Sequence, residues 1–307
     1  MDWKKKLYHI LSVPPLVEEP MSKHTSLRIG GPAEFLVSPQ SAAELQNLIE
    51  MAFQYAVPLF VLGQGTNLLV SDRGLRGIVV SLSGFCSTYE FLEGGLLKAG
   101  AAVSLFKLCQ AAAGKGLGGL EFATGIPGSM GGALYMNAGA YGSSISNLIR
   151  EVTTIDLRGK RCVRPVEELK FDYRWSSFQD EEVIILEGLL ALTPGDREKI
   201  LARTAEVLND RQAKHPHLPN AGSVFRNPPG RPAGKLIEQA GAKGLAVGDA
   251  QVSLQHGNFI VNKGRATASD VLKLIAMVKE KVKEKFDLDL ALEIKVIGEN
   301  GSKQGRR

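Results

Sequence analysis

Between residues 286 and 296 the chain alternates strictly: Phe286, Leu288, Leu290, Leu292, Ile294 and Val296 fall on one side, Asp287, Asp289, Ala291, Glu293 and Lys295 on the other. A period of two predicts a half-buried strand and turns Glu293 away from the core. In other stretches the period is that of a helix. Leu45, Leu48, Ile49, Ala52 and Phe53 follow Ser41-Ala42-Ala43-Glu44, whose spacing is that of a capping box. Further helices are predicted over 3–11, over 104–113 with Gly114 and Gly116 as stops, after the cap Asp196, over 234–240, and over 269–285. Short apolar runs at 59–62, 68–70, 78–82, 96–99, 152–157 and 183–192 read as strands. The stretch 214–229, rich in Pro, His, Asn and Gly, reads as loop.

One stretch breaks both periods. Residues 118–142 read GGLEFATGIPGSMGGALYMNAGAYG, with eight glycines in 25 positions and no charged residue over 122–149. Its apolar length raises a membrane span, but Gly, Ser, Asn and Pro127 are too frequent for one. Bare main chain suits a loop that grips a ligand's phosphates with N–H groups, and Gly63-Gln64-Gly65-Thr66-Asn67, set between two apolar runs, is a second such loop. A plain turn is the alternative for each. The dinucleotide fingerprint fails, because Leu68 stands where a third glycine is needed and a strand follows instead of a helix. There is no Walker A sequence.

Composition narrows the field. With 307 residues, 44% hydrophobic and 22% charged, the chain is of the soluble globular class and has room for two or three domains. The net charge of +5 favours anionic ligands without pointing to nucleic acid, and the basic run 279–285 is interrupted by Glu280 and Glu284 as on a solvated helix. Cys86, Cys109 and Cys162 are odd in number and far apart, which argues against a disulfide framework or a zinc site. His215 and His217 lack further ligands, so no metal is expected. The N-terminal apolar run is short and broken by His9, Pro14 and Pro15; a cytoplasmic protein without a membrane partner is expected.

Three motifs carry a resemblance. GIPGSMGGALYMNAGAYG resembles the flavin-binding signature of the UDP-N-acetylenolpyruvoylglucosamine reductase family, and YRWSSF and PNAGSVFRNP resemble two further motifs of that family in the same order. The likeness runs from about Thr25 to Gly298. It implies an α+β fold in three domains: an FAD-binding part of the vanillyl-alcohol-oxidase (PCMH) type in two subdomains, 1–82 (with 293–307 returning to it) and 83–205, and a smaller α+β substrate domain, 206–292. It implies bound FAD, NADPH as a transient reductant, and a small-molecule substrate, UDP-N-acetylglucosamine enolpyruvate, reduced to UDP-N-acetylmuramate in peptidoglycan precursor synthesis.

The same resemblance assigns residues. FAD would be held by Arg28 beside Ile29 and Gly30, by Gly63, Gln64, Gly65, Thr66 and Asn67, by Gly125, Ile126, Pro127, Gly128, Ser129, Gly131 and Gly132, and by Asn137, Ala138, Gly139, Ala140 and Tyr141. Arg174 and Glu293 would hold the charge that develops on the substrate, and Ser223 would donate a proton, with Lys214 as a candidate for reprotonating it. Tyr173, Lys214, Arg226, Asn227 and Asn258 would touch substrate, Arg226 standing where the family usually has lysine. The passage from Phe178 to Leu192 leaves no room for an inserted tyrosine-bearing loop, which implies the shorter subtype and leaves the cover over the substrate unassigned.

By residue type alone, Arg174 is equally a structural ion-pair partner, Ser223 a turn serine and Glu293 a solvated strand carboxylate. Hydrolase chemistry is disfavoured, since Pro127 occupies the first glycine position of a nucleophile elbow around Ser129. The competing functions are an FAD-dependent oxidase of an alcohol or sugar on the same fold, and a non-catalytic nucleotide- or RNA-binding protein.

Overall fold

The computed structural model describes residues 2–298, so the 299–307 part of the expected C-terminal return lies outside the described residues. The first layer is built from α1 (Trp3–Ile10), β1 (Leu16–Pro20), β2 (Pro32–Val37), α2 (Ala42–Gln54), β3 (Leu59–Leu62), β4 (Leu68–Val70) and β5 (Leu75–Ser81). β1 runs antiparallel to β2, and β5 lies between β2 and β3, parallel to both. Parallel neighbours need a crossover, and α2 supplies it. Ser41 Oγ accepts from the Glu44 amide as the sequence predicts, but the Glu44 carboxylate bonds the Gln40 amide and Ser12 Oγ instead of closing the box. Leu45, Leu48, Ile49 and Ala52 are buried as expected. Phe53, at the rim of that stripe, is 68% exposed.

The second layer contains β6 (Tyr89–Leu92), β7 (Leu96–Gly100), α3 (Leu105–Gly114), α4 (Met130–Met136), β8 (Ile149–Asp156), β9 (Arg161–Pro165) and β10 (Val183–Ala191). These strands form an antiparallel sheet in the order β9-β8-β10-β7-β6. α4 corrects the reading of 118–142 as bare loop throughout. Ser129 Oγ caps it by accepting from the Gly132 amide, and Asn137 ends it in the left-handed region at φ 44°. Part of the glycine content therefore serves packing. A Cβ on Gly131 would lie 2.9 Å from Ala101 Cβ and 3.2 Å from Ala101 O, so glycine there lets α4 settle closely, and one on Gly188 of β10 would lie 2.6 Å from Met130 Cε and displace that side chain.

Asp196 accepts from the Glu198 and Lys199 amides and starts α5 (Arg197–Lys214), which leads to β11 (Asn220–Ser223), α6 (Ala233–Gln239), β12 (Ala246–Val247), β13 (Ala250–Val252), β14 (Phe259–Asn262), α7 (Ala268–Phe286) and β15 (Lys295–Ile297). The third sheet has the order β11-β14-β13-β12, so the stretch expected as loop contributes an edge strand. Thr267 and Asp270 form a full capping box, and α7 buries Val271, Leu274, Ile275, Val278 and Val282 at helical spacing. Each such side chain removed from water contributes about 1.5–3 kcal/mol.

The alternation at 286–296 is real as burial but not as one strand. Leu290 and Ile294 are buried, yet Asp287 closes α7 at φ 50°, a single bridge joins Phe225 to Leu292, and a regular ladder exists only in β15. β15 runs parallel to β4, pairing Lys295 with Leu68 and Ile297 with Val70. The layers share cores: Leu27, Ile29 and Leu69 pack among the apolar residues of α6 and α7, and Ile297 packs with Met21, Leu36 and Val79. The Asp72 carboxylate, from the turn after β4, accepts from the Ala268 and Ser269 amides at the start of α7. The fold is α+β, and among the described residues no helix is long and apolar enough to cross a membrane.

Candidate active site

Where β3 ends the chain makes its turn over 63–67, and Gly65 sits there at φ 62°. A Cβ at that position would lie 2.0 Å from His24 O, a distance no relaxation of side chains can relieve. Gly65→Ala is therefore expected to lower stability by about 1–3 kcal/mol, the scale of backbone strain, and to release the flavin that the resemblance implies. Urea unfolding and the ratio of visible to ultraviolet absorbance check it.

Two neighbours hold the turn. Thr66 Oγ1 donates to Pro127 O at 3.0 Å. Asn67 Nδ2 donates to Glu293 O at 3.2 Å, and the Lys295 amide donates to Asn67 O at 2.9 Å. One turn thus brings the glycine-rich loop before α4 and the start of β15 to the same cleft, of about 1650 Å³. The walls of that cleft fit an anionic dinucleotide. Gly63, Gly128 and Gly132 line it without side chains, a Cβ on Gly63 would reach within 3.0 Å of Ser129 Oγ, and the buried Nε of Arg211 has no hydrogen-bond partner among the described residues. Bare main chain and an unpaired guanidinium nitrogen are what a diphosphate needs.

Arg174, Ser223 and Glu293, from three separate stretches of the chain, all line this cleft. Arg174 occupies the left-handed region at φ 55°, which costs a non-glycine residue about 1–3 kcal/mol. Its Nε donates to Glu293 Oε1 at 2.7 Å, and its guanidinium lies 5.0 Å from the centre of the Tyr173 ring. Burial raises the pKa of Glu293, and the Arg174 charge opposes that rise. Ser223 ends β11 opposite Phe259, just after Gly222 at φ 74°.

Lys295 also lines the cleft, as do Gln179 and His215. None of the three was selected from sequence. The signal for Lys295 was present, since Glu293 and Lys295 share the polar side of the alternation. Lys295 Nζ donates to Gln179 Oε1 at 2.8 Å, and burial lowers its pKa. His215 packs 4.9 Å from the Phe259 ring, and burial, helped by Arg211, depresses its pKa to about 4. In the unfolded chain it titrates near 6.5. The folded state then refuses a proton that the unfolded state accepts, so the His215 contribution to stability, full above pH 6.5, is lost as pH falls toward 4. His215→Phe is expected to flatten the fall in urea midpoint between pH 7 and pH 5.

Arg28, Asn137, Tyr173, Lys214, Arg226, Asn227 and Asn258 do not line the cleft. Arg28 is exposed, in the left-handed region at φ 55°. Asn137 donates to Asp172 O and accepts from the Ser146 amide, and Asn258 accepts from the Phe225 amide and donates to Phe225 O, so both are braces for the loops. Asn227 Oδ1 accepts from the Ala233 amide at the start of α6, and the Tyr173 hydroxyl accepts from the Asn227 amide. Arg226 Nη2 donates to Arg174 O at 3.4 Å. Lys214 pairs with Asp210 at 2.6 Å, and Asp210 also accepts from the Tyr141 hydroxyl. The lysine in the cleft is Lys295. After Gln179 only 180–182 precede β10, so no extra loop is folded over the opening there.

Residues 33–163 match the family described as FAD binding domain, and residues 213–297 match that described as UDP-N-acetylenolpyruvoylglucosamine reductase, C-terminal domain. The chain is 46% identical over 296 residues to the UDP-N-acetylenolpyruvoylglucosamine reductase of Caldanaerobacter subterraneus subsp. tengcongensis, covering 96% of this chain and 97% of that one. It is 46% identical over 283 residues to UDP-N-acetylenolpyruvoylglucosamine reductase 2 of Symbiobacterium thermophilum, covering 92% of each. The crystal structure of the Thermus caldophilus UDP-N-acetylenolpyruvylglucosamine reductase superposes with a TM-score of 0.80 at 40% identity, over 93% of this chain and 99% of that one.

Proposed function

We propose that this chain, which belongs to the UDP-N-acetylenolpyruvoylglucosamine reductase family, uses NADPH to reduce UDP-N-acetylglucosamine enolpyruvate to UDP-N-acetylmuramate, with FAD as its bound cofactor, for peptidoglycan synthesis in the cytoplasm. The observation that carries the reading is the meeting of Arg174, Glu293 and Ser223 in one cleft walled by two glycine-rich loops. We read 1–82 and 83–205 as the two parts of the FAD-binding unit and 206–292 as the substrate unit. The separate sheets of the three stretches support that division.

When bound, FAD supplies the hydride relay between NADPH and the enol double bond. Loops 63–67 and 125–129 are suited to hold its diphosphate through main-chain N–H groups, with Arg211 as counter-charge. Arg174 commits its Nε to Glu293, which leaves its two terminal nitrogens for the carboxylate of the acceptor. As the terminal enol carbon receives hydride, negative charge spreads onto that carboxylate, and a guanidinium already fixed by its partner stabilises it without reorganising. Glu293, held toward its protonated form by burial, can donate a hydrogen bond to the same developing charge. Ser223 would give its hydroxyl proton to the adjacent carbon, which completes addition of hydride and proton across the double bond.

The test is product balance. NADPH consumed with the enolpyruvyl acceptor should equal UDP-N-acetylmuramate formed. Oxygen uptake driven by an alcohol or sugar, with no reduction of the acceptor, would contradict the proposal.

A further inference from the structure

Gln179 hydrogen-bonds both the Arg174 peptide and the Lys295 ammonium in the cleft. It lies at the end of a 3-10 turn, and its amide is fully used: Nε2 donates to Tyr135 O at 2.9 Å and to Arg174 O at 3.1 Å, while Oε1 accepts from Lys295 Nζ at 2.8 Å. The orientation of the amide follows from chemistry. Carbonyl oxygens can only accept and an ammonium can only donate, so the oxygen must face Lys295 and the nitrogen must face the two carbonyls. The contacts close a ring. Gln179 joins Lys295 to the Arg174 peptide, the Arg174 side chain joins Glu293, and Glu293 and Lys295 share one side of the final extended segment.

We propose that Gln179 is a positioning residue, fixing the Lys295 ammonium and the left-handed Arg174 peptide as one unit so that the cleft presents two cations at set places to an anionic acceptor. The inference rests on the reductase reading above. Two physical facts support it. An Arg174 residue at φ 55° needs its peptide held by neighbours, and Gln179, with Arg226, donates to its carbonyl. A lysine taken partly out of water needs an acceptor to keep both its charge and its place, and Gln179 Oε1 is that acceptor. Lys295 would then meet the acceptor directly, and Gln179 would act only through Lys295 and Arg174.

The test is a mutant cycle on the FAD-loaded enzyme, read as the dissociation constant of UDP-N-acetylglucosamine enolpyruvate from the oxidised protein by perturbation of the flavin absorbance, and as KM against kcat. Gln179→Leu is expected to weaken binding roughly 10- to 100-fold, the scale for losing a hydrogen bond to a charged group, and to raise KM more than it lowers kcat. Gln179→Glu keeps an acceptor for Lys295 but loses the donor to Tyr135 O and Arg174 O, so it should restore only part of the affinity. Lys295→Met alone should weaken binding at least as much as Gln179→Leu, and in the double variant the two losses should fall well short of multiplying, because only the Arg174 share of the Gln179 effect is left to lose. Losses that multiply in full in the double variant, or a Gln179→Leu protein that binds the acceptor as tightly as wild type, would overturn the inference while a wild type that binds and reduces the acceptor leaves the reductase reading standing. A wild type that does neither overturns that reading and the inference with it. Retention of yellow colour and of the wild-type unfolding midpoint in Gln179→Leu and Lys295→Met serves as the folding control.

Discussion

Ser223→Ala is expected to leave reduction of the flavin by NADPH near the wild-type rate and to slow its reoxidation by the enolpyruvyl acceptor by roughly 10²–10⁴-fold, the range of a lost general acid. The asymmetry follows from where the hydroxyl acts. Hydride transfer from NADPH needs no proton from the protein, whereas the carbon next to the hydride acceptor must take one. The side chain is small and ends an edge strand beside Gly222, so alanine should fold equally well. Rapid-mixing absorbance measured separately for the two half-reactions checks this. Equal rates in both would remove Ser223 from the proton step.

Arg174→Ala should be the second large effect, lowering the acceptor half-reaction by about 10²–10³-fold, as when one preorganised donor to a developing charge is removed. It should also change the pH dependence. The Arg174 charge and its hydrogen bond both lower the pKa of Glu293, and without them burial is opposed only by the Arg226 charge. Its folded pKa then rises further, so the fraction ionised at a given pH falls, and the limb of the rate profile due to Glu293 moves to higher pH. Arg174→Lys should recover only part of the loss, because an ammonium cannot serve Glu293 and a carboxylate with the same fixed fork. A rate for Arg174→Ala within a few-fold of wild type would show that the guanidinium serves only the ion pair.

Much of the fold was legible because its signals are local. Helices α2, α5 and α7 announced themselves through apolar spacing, and Ser41 and Asp196 cap where the sequence placed them. What failed was what depends on partners far away in the chain. The alternation at 286–296 correctly turned Leu290 and Ile294 inward, but whether such a segment forms a ladder depends on a neighbouring strand, and only β4 provides one, at 295–297. Glycines at 131 and 188 looked like loop chemistry or went unremarked, yet they are contact points between α4 and the strands beneath it.

The site divides in the same way. Motifs close in sequence located the loops and Arg174, Ser223 and Glu293, which line one cleft although they come from distant parts of the chain. Asn137 and Asn258 show the limit, since a side-chain amide inside a motif can brace a loop as readily as touch a ligand, and only the positions of Asp172, Ser146 and Phe225 reveal which. Lys214, near Ser223 along the chain, ends α5 and pairs with Asp210 one turn back on the same helix, while Lys295, far off in sequence, enters the cleft through pairing of β15 with β4.

The central claim, that this cleft passes hydride from NADPH to an enolpyruvyl ether, meets its most direct test in an anaerobic spectrum of the freshly purified protein. The expected result is a yellow protein whose visible flavin absorbance bleaches on one equivalent of NADPH and returns on one equivalent of UDP-N-acetylglucosamine enolpyruvate, with UDP-N-acetylmuramate formed. A colourless protein, or one bleached by NADPH that stays bleached when the acceptor is added, would contradict it.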